Sequence, residues 1–177
     1  MSLGTLAVSV FFVVSGYLVT ASMRSRQSIT DFLLARALRI YPALWAALGL
    51  TVLLLGPMAT NWSLWDYLAD PRTRFYLAKN ATLAFGFADG LPGVFEGLPL
   101  PRAVNGSLWT LPLEIRLYLT LALMLAALRL CVGDRSDRWL RVLIAVVALS
   151  LFVRLCLQGL AASPEMRLAT LFFGGAI

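Results

Sequence analysis

The chain has 177 residues, 60% of them hydrophobic and 14% charged, with a mean hydropathy of +0.82. A soluble domain carries about 25% charged and roughly 45–50% apolar residues, so the composition excludes a soluble globular fold and points to an integral membrane protein. The net charge of +6 does not argue for nucleic acid, because the 15 basic and 9 acidic residues punctuate apolar runs instead of forming a face, and the absence of histidine removes the usual general base and the commonest metal ligand.

The first apolar run, Leu3–Met23, is uncharged and long enough to cross a bilayer, which takes about 20 residues. It forms span one. No basic region precedes it, so it is not a cleaved signal peptide. The chain begins with almost no lead-in, as though a preceding segment were missing.

Arg24–Arg39 is a basic connector. Thr30 is a candidate N-cap, with Ile29 and Leu34 spaced as a hydrophobic staple. A short helix should follow, with Arg36 and Arg39 on one face because i and i+3 are neighbours. Ile40–Ala59 is uncharged and forms span two. Pro42 lies near its start and either marks a restart of the helix or kinks it.

Asn61–Asn105 is a long polar and aromatic loop. Its Trp62, Trp65, Tyr67, Phe75 and Tyr76 have the composition of an interfacial belt. Trp65–Phe85 is expected as an amphipathic helix on the membrane surface, and "DGLPGVFEGLPLP" as irregular loop. Asn61, Asn80 and Asn105 each start an N-x-S/T triplet, a pattern common by chance.

Span three covers about Ser107–Leu130, with Glu114 and Arg116 inside it. "CVGDRSDR" is a tight connector, and span four covers about Trp139–Leu160, with Arg154 inside it. "ASPE" makes a short turn before Arg167–Ile177, the start of a fifth span. Cys131 and Cys156 fall near opposite ends of two consecutive spans. That places them roughly 20 Å or more apart, beyond disulfide reach. The expected fold is therefore all-α: a polytopic transmembrane helical bundle of four complete spans and part of a fifth, with a long extracytoplasmic loop, all one partial domain over residues 1–177.

Basic residues set the orientation. The connectors Arg24–Arg39 and Arg129–Arg141 hold four Lys or Arg each, whereas the four in Gly56–Gly106 are spread over the long loop among four acids. The two short connectors are then cytoplasmic and the protein is multi-pass in the inner (plasma) membrane.

A carboxylate within a span costs several kcal/mol unless it is paired, which makes Glu114 a functional candidate. Pairing with Arg154, at similar depth on the next span, would give it a structural role instead. Glu114, Arg116 and Arg154 could also line the polar pathway of a carrier or belong to a non-catalytic scaffold. Arg36 and Arg39 suit the positive-inside rule, and equally an anionic phosphate ligand, which the planar fork of arginine matches. Ser15 and Gly16 permit close helix packing. Trp109 and Pro112 shape the outer start of span three by anchoring at the interface and kinking the helix.

Taken in order, "VSVFFVVSGYLVTASM", "FLLARALRIYPALW" and "NGSLWTLPLEIRLYL" resemble the acyltransferase family 3 membrane proteins, over nearly the whole chain. That family includes O-antigen and exopolysaccharide O-acetyltransferases. The resemblance implies transfer of an acyl group, usually acetyl, from a cytoplasmic acyl-CoA donor to a hydroxyl, often on a cell-envelope carbohydrate or glycolipid. It implies no bound cofactor and no metal beyond that donor. By the same resemblance Arg36 and Arg39 engage the donor's phosphates. Ser107 and Glu114 match the family's Ser…Glu motif and are the catalytic candidates, Glu114 in a supporting role. Phe11, Phe12, Ser15 and Gly16 match its Phe-Phe-x-x-Ser-Gly motif, with Ser15 and Gly16 as further donor-binding candidates. The family's catalytic His lies on a first helix that these residues do not include. The chain is accordingly expected to begin at the family's second helix, to stop in its sixth, and to be inactive by itself.

Overall fold

Inside a bilayer, only a helix or a closed barrel satisfies its own backbone, and the long apolar runs of this chain become helices. The computed structural model describes residues 3–25, 28–83, 86–97, 104–133 and 136–177. Arg26, Phe85, Arg135 and residues 98–101 of the Gly/Pro-rich loop lie outside the described residues. Among the described residues, four helical stretches are long and apolar enough to cross a membrane: Leu3–Ser25, Ile29–Ala59, Gly106–Val132 and Arg138–Gln158. Among the described residues there is no strand, only an isolated bridge between Thr60 and Val94. The fold is an all-α helical membrane bundle. It divides into two units, one of Met1–Leu34 with Arg116–Ile177 and one of Ala35–Ile115.

The first unit holds α1 (Leu3–Ser25), the C-terminal part of α6 (Leu111–Val132), α7 (Ser136–Gln158) and α8 (Pro164–Gly175). α1 buries Phe12, Ser15, Gly16, Val19, Thr20 and Met23, one stripe at helical spacing. Its remaining faces, and those of α7, leave Val10, Val14, Leu18, Val146, Leu149 and Phe152 exposed. So much exposed apolar surface is untenable in water and is the expected outer wall in lipid. α8 packs against both α1 and α7. Ser163 starts α8, its Oγ accepting the Met166 N–H at 3.2 Å, with Pro164 next to it.

The structure corrects the expected connector, and the second unit begins within the helix that replaces it, at Ala35. α2 (Ile29–Leu50) runs without a break through Arg36, Arg39 and Pro42. No Gly interrupts Ile29–Leu48, and arginine is a good helix former, so nothing stops the helix before Ile40. Pro42 deprives it of a single hydrogen bond. Ser28, not Thr30, stands at its start, with its Oγ 3.4 Å from the Asp31 N–H. With Ile29 as the first helical residue, the staple geometry with Leu34 is lost.

Beyond Leu50 the helix widens into a π-turn, Thr51–Leu55, and closes with α3 (Gly56–Ala59). The Gly56 N–H bonds to the Thr51 carbonyl. In that register the next donor would be Pro57, which has no N–H. The Tyr67 hydroxyl serves the Val52 carbonyl instead, at 3.1 Å. Gly56 leaves room for it: a methyl at that position would overlap the Tyr67 hydroxyl.

The expected single surface helix over Trp65–Phe85 is two helices, α4 (Leu64–Ala69) and α5 (Pro71–Thr82). Pro71 forces the residue before it out of the helical region. Asp70 is accordingly extended, and its carboxylate accepts from the Arg72 N–H at 2.7 Å and from Arg72 Nε at 3.2 Å. Leu83, with φ of 53°, ends α5. The long segment does not stay at the end of α2 but folds back along it. The Tyr41 hydroxyl donates to Thr82 O and Trp45 Nε1 donates to Ala81 O, both at 3.2 Å, so α2 supplies donors to the orphan carbonyls at the end of α5. From Val52 to Tyr41 this docking covers about 16 Å of α2, at a rise of about 1.5 Å per residue.

Leu44, Leu48 and Val52 of α2 share one core with Tyr67, Tyr76, Leu83, Leu91, Val94 and Leu108. Tyr67 and Tyr76 are therefore fully buried and not part of an interfacial belt, while Trp62, Trp65 and Phe75 stay exposed. Burial, with Tyr76 beside it, pushes the Tyr67 hydroxyl up to about 12, and burial also raises Tyr76. The neutral phenol is the form the fold favours. Its contribution is complete below pH about 10 and is lost as pH climbs from there to about 12, roughly 2–3 kcal/mol in all. Tyrosinate absorbance in detergent should therefore show a late step that coincides with loss of helix. Tyr67→Phe should shrink that step; if Tyr67→Phe titrates like the wild type, the assignment fails.

Candidate active site

Four of the residues singled out in the sequence lie in the second unit: Arg36, Arg39, Ser107 and Glu114. Arg36 and Arg39 sit on α2 one turn apart. Arg36 is half-buried, with its Nε shielded from solvent, and Arg39 is exposed. Trp45, a turn and a half further on, holds the end of α5.

Ser107 and Glu114 are separated by a change of helix type. Gly106–Thr110 is a three-ten turn, and α6 starts only at Leu111. Ser107 is exposed on the three-ten turn. Glu114 thus stands in the first turn of α6, within the spanning stretch Gly106–Val132 and near its start, in keeping with its expected place about a turn and a half into span three. It is buried, with 5% of its surface exposed. The positive end of the helix dipole lies within the same turn and lowers the cost of a buried carboxylate. Pro112 is the second residue of α6, where a missing N–H costs nothing, so it begins the helix and does not kink it. Leu108, Leu111 and Ile115 pack into the same core as Ile40, Tyr41 and Leu44, so the start of α6 shares that core with α2.

That start is also tied by a residue the sequence did not single out. Asn105 Nδ2 donates to Thr51 Oγ1 at 2.8 Å and to Tyr76 Oη at 3.1 Å. Asn80 is likewise committed: its side chain donates to Ala88 O at 2.8 Å and accepts from Ala88 N at 2.9 Å. Neither role has a local signal, since each partner is remote in the chain or in irregular backbone.

The other candidates belong to the first unit. Ser15 Oγ lies 3.4 Å from the Tyr118 hydroxyl, both buried. Gly16 packs directly on α8, where a methyl would overlap the Phe172 carbonyl oxygen, and Gly175 packs in the same way on the Val13 carbonyl. Phe12 is fully buried and Phe11 is exposed. The packing role expected of Ser15 and Gly16 is thus realised. Arg116 pairs with Glu165 at 3.6 Å, both exposed, an arrangement worth at most about 1 kcal/mol. Arg154 is exposed and lies in a different unit from Glu114. Cys131 and Cys156 are exposed free thiols.

A family model described as "Acyltransferase domain" matches residues 1–177. An O-acetyl transferase of Shigella phage Sf6 is 35% identical over 151 residues, covering 85% of this chain and 42% of that protein. Nodulation protein 10 of Rhizobium leguminosarum bv. viciae is 32% identical over 152 residues, covering 82% of this chain and 38% of its own length. Acyltransferase MdmB of Streptomyces mycarofaciens is 30% identical over 129 residues, covering 69% of this chain and 28% of that protein. The chain thus spans less than half the length of the curated relatives it matches. No solved structure matches it.

Proposed function

The chain belongs to the acyltransferase domain family, and from that premise we propose that it forms part of a multi-pass O-acyltransferase of the inner membrane. The donor is acyl-CoA, usually acetyl-CoA, and the acceptor is a hydroxyl of a cell-envelope carbohydrate or glycolipid. The Arg24–Arg39 and Arg129–Arg141 segments face the cytoplasm. The observation that carries this reading is the collection of Arg36, Arg39, Ser107 and Glu114 in one unit, together with the O-acetyl transferase named among the relatives.

In the proposed step the acceptor oxygen attacks the thioester carbon, the C–O bond forms, the C–S bond breaks, and CoA leaves as its thiolate. The hydroxyl must lose its proton as it attacks. These 177 residues contain no imidazole to take it. Glu114 is assigned the supporting role of orienting or charge-balancing the base, with Ser107 beside it in the motif. We therefore expect these residues alone to bind donor without transferring its acyl group. Arg36 and Arg39 hold the donor's phosphates, where the guanidinium fork forms charge-assisted hydrogen bonds.

Replacing both arginines with alanine should weaken acetyl-CoA binding by about 10²–10⁴-fold by calorimetry in nanodiscs, at about 1.5–3 kcal/mol for one charge-assisted hydrogen bond lost per arginine. The Arg36→Lys, Arg39→Lys pair keeps the charge and the topology signal but loses the fork, and should fall in between. Unchanged affinity in the alanine pair rules out the phosphate role.

A further inference from the structure

Asn105 occupies the position before the three-ten turn Gly106–Thr110, where asparagine ordinarily turns back to cap the free N–H groups of the helix. It makes no such cap. Both hydrogens of its amide are spent on distant hydroxyls, those of Thr51 and Tyr76, at 2.8 and 3.1 Å. Those acceptors are buried, Thr51 at 7% exposure and Tyr76 at 0%. Thr51 opens the π-turn of α2, a helix irregularity of a kind concentrated at functional sites. Tyr76 lies in the middle of α5. One amide therefore joins α2, α5 and the lead-in to α6, and Ser107 follows it by two positions.

We propose that Asn105 is a positioning residue for acyl transfer. It fixes the start of α6, and with it Ser107 and Glu114, against the helix that carries Arg36 and Arg39. This assignment of purpose rests on the acyltransferase reading above, whereas the tether itself does not. Packing by Leu108, Leu111 and Ile115 is apolar and non-directional, so it leaves the rotation of the lead-in loosely defined. Two directed hydrogen bonds from one rigid amide define it.

The polarity of the tether makes it testable. Asn105→Ala removes both bonds. Asn105→Asp removes the donors but keeps the shape, and the hydroxyls of Thr51 and Tyr76 can each donate to its carboxylate. The first measurement needs no catalysis. In a Cys131→Ser, Cys156→Ser background, a nitroxide on Ser107→Cys reports the mobility of the three-ten turn. Asn105→Ala should sharpen its spectrum, as should Thr51→Val with Tyr76→Phe, which removes the acceptors and leaves Asn105 in place. Asn105→Asp should stay near the parent spectrum. Unchanged spectra in both the Asn105→Ala and the Thr51→Val, Tyr76→Phe variants overturn the tether.

The second measurement follows acetyl transfer in membranes by the longer O-acyltransferase of which these residues form part, since the 177 residues alone are expected to bind donor without transfer. Asn105→Ala should lower kcat about 10- to 100-fold, as expected when reacting groups are misplaced by about 1 Å, with KM for acetyl-CoA within about twofold. Asn105→Asp should recover most of that loss. A mobile nitroxide with normal kcat overturns the positioning role while leaving the acyltransferase reading intact. Absence of transfer by the longer protein that contains these residues overturns that reading and with it the assigned purpose, and the nitroxide still decides the tether.

Discussion

Gly16→Ala and Gly175→Ala should each destabilise the first unit by about 1–3 kcal/mol, the usual cost of forcing an extra carbon into a packed contact, while Gly174→Ala should be neutral or stabilising by up to about 1 kcal/mol. The three substitutions add the same methyl group to helices that touch each other, and the structure separates them sharply. At Gly16 the methyl overlaps the Phe172 carbonyl oxygen, and at Gly175 the Val13 carbonyl oxygen. Backbone cannot swing aside as a side-chain tip can, so α1 and α8 must separate. At Gly174 there is nothing within 4 Å, and alanine then only lowers the entropy of the unfolded chain. Unfolding in mixed micelles with increasing SDS measures all three. The experiment also separates two meanings of the Phe-Phe-x-x-Ser-Gly motif. If Gly16→Ala is as stable as the wild type yet loses acetyl-CoA affinity, the glycine serves the donor and not the packing.

The elements that the sequence displays openly are those whose information is local. Leu3–Ser25 holds a single charge, at Arg24, and Ser136–Gln158 contains the long uncharged run Val142–Val153, so bilayer thickness calls for both helices. The bounds of α2 are less legible, because the charges of Arg36 and Arg39 suggest a boundary that helix propensity does not respect. The segment after α2 is the least legible. Its core is assembled from Tyr67, Tyr76, Leu83, Leu91 and Val94, scattered through polar and Gly/Pro-rich sequence with no helical or strand period to link them. The π-turn is visible only once Tyr67 is known to reach Val52 across fifteen positions. Asn80 and Asn105 resemble chance glycosylation triplets, and their true partners are a loop backbone and two remote hydroxyls. For the candidate site, the motifs are local and therefore visible in the sequence, while the grouping of their residues is not. The motifs name Ser15 and Gly16 beside Arg36, Arg39, Ser107 and Glu114, yet the structure divides them between two units.

Glu114→Gln should reduce acetyl transfer by about 100-fold or more, within the range of about 10²–10⁴ for a group that assists proton transfer, and should leave KM for acetyl-CoA within about twofold. Stability distinguishes this outcome from a structural role. The Glu114 carboxylate is 5% exposed in the first turn of α6, where the helix dipole offsets only part of the desolvation cost. Glutamine fills the same volume and carries no charge to desolvate. If the carboxylate is retained for chemistry, Glu114→Gln should unfold at the wild-type temperature or slightly above it while transferring almost nothing. Glu114→Asp restores the charge but draws it back by one methylene, and should recover part of the rate. The comparison is made in the longer O-acyltransferase of which these residues form part, on membranes with matched amounts of folded protein, following labelled acetyl on the acceptor. A Glu114→Gln protein that melts earlier than the wild type, yet transfers normally per folded molecule, would return Glu114 to the architecture of α6 and leave Arg36 and Arg39 as the only charged members of the proposed site.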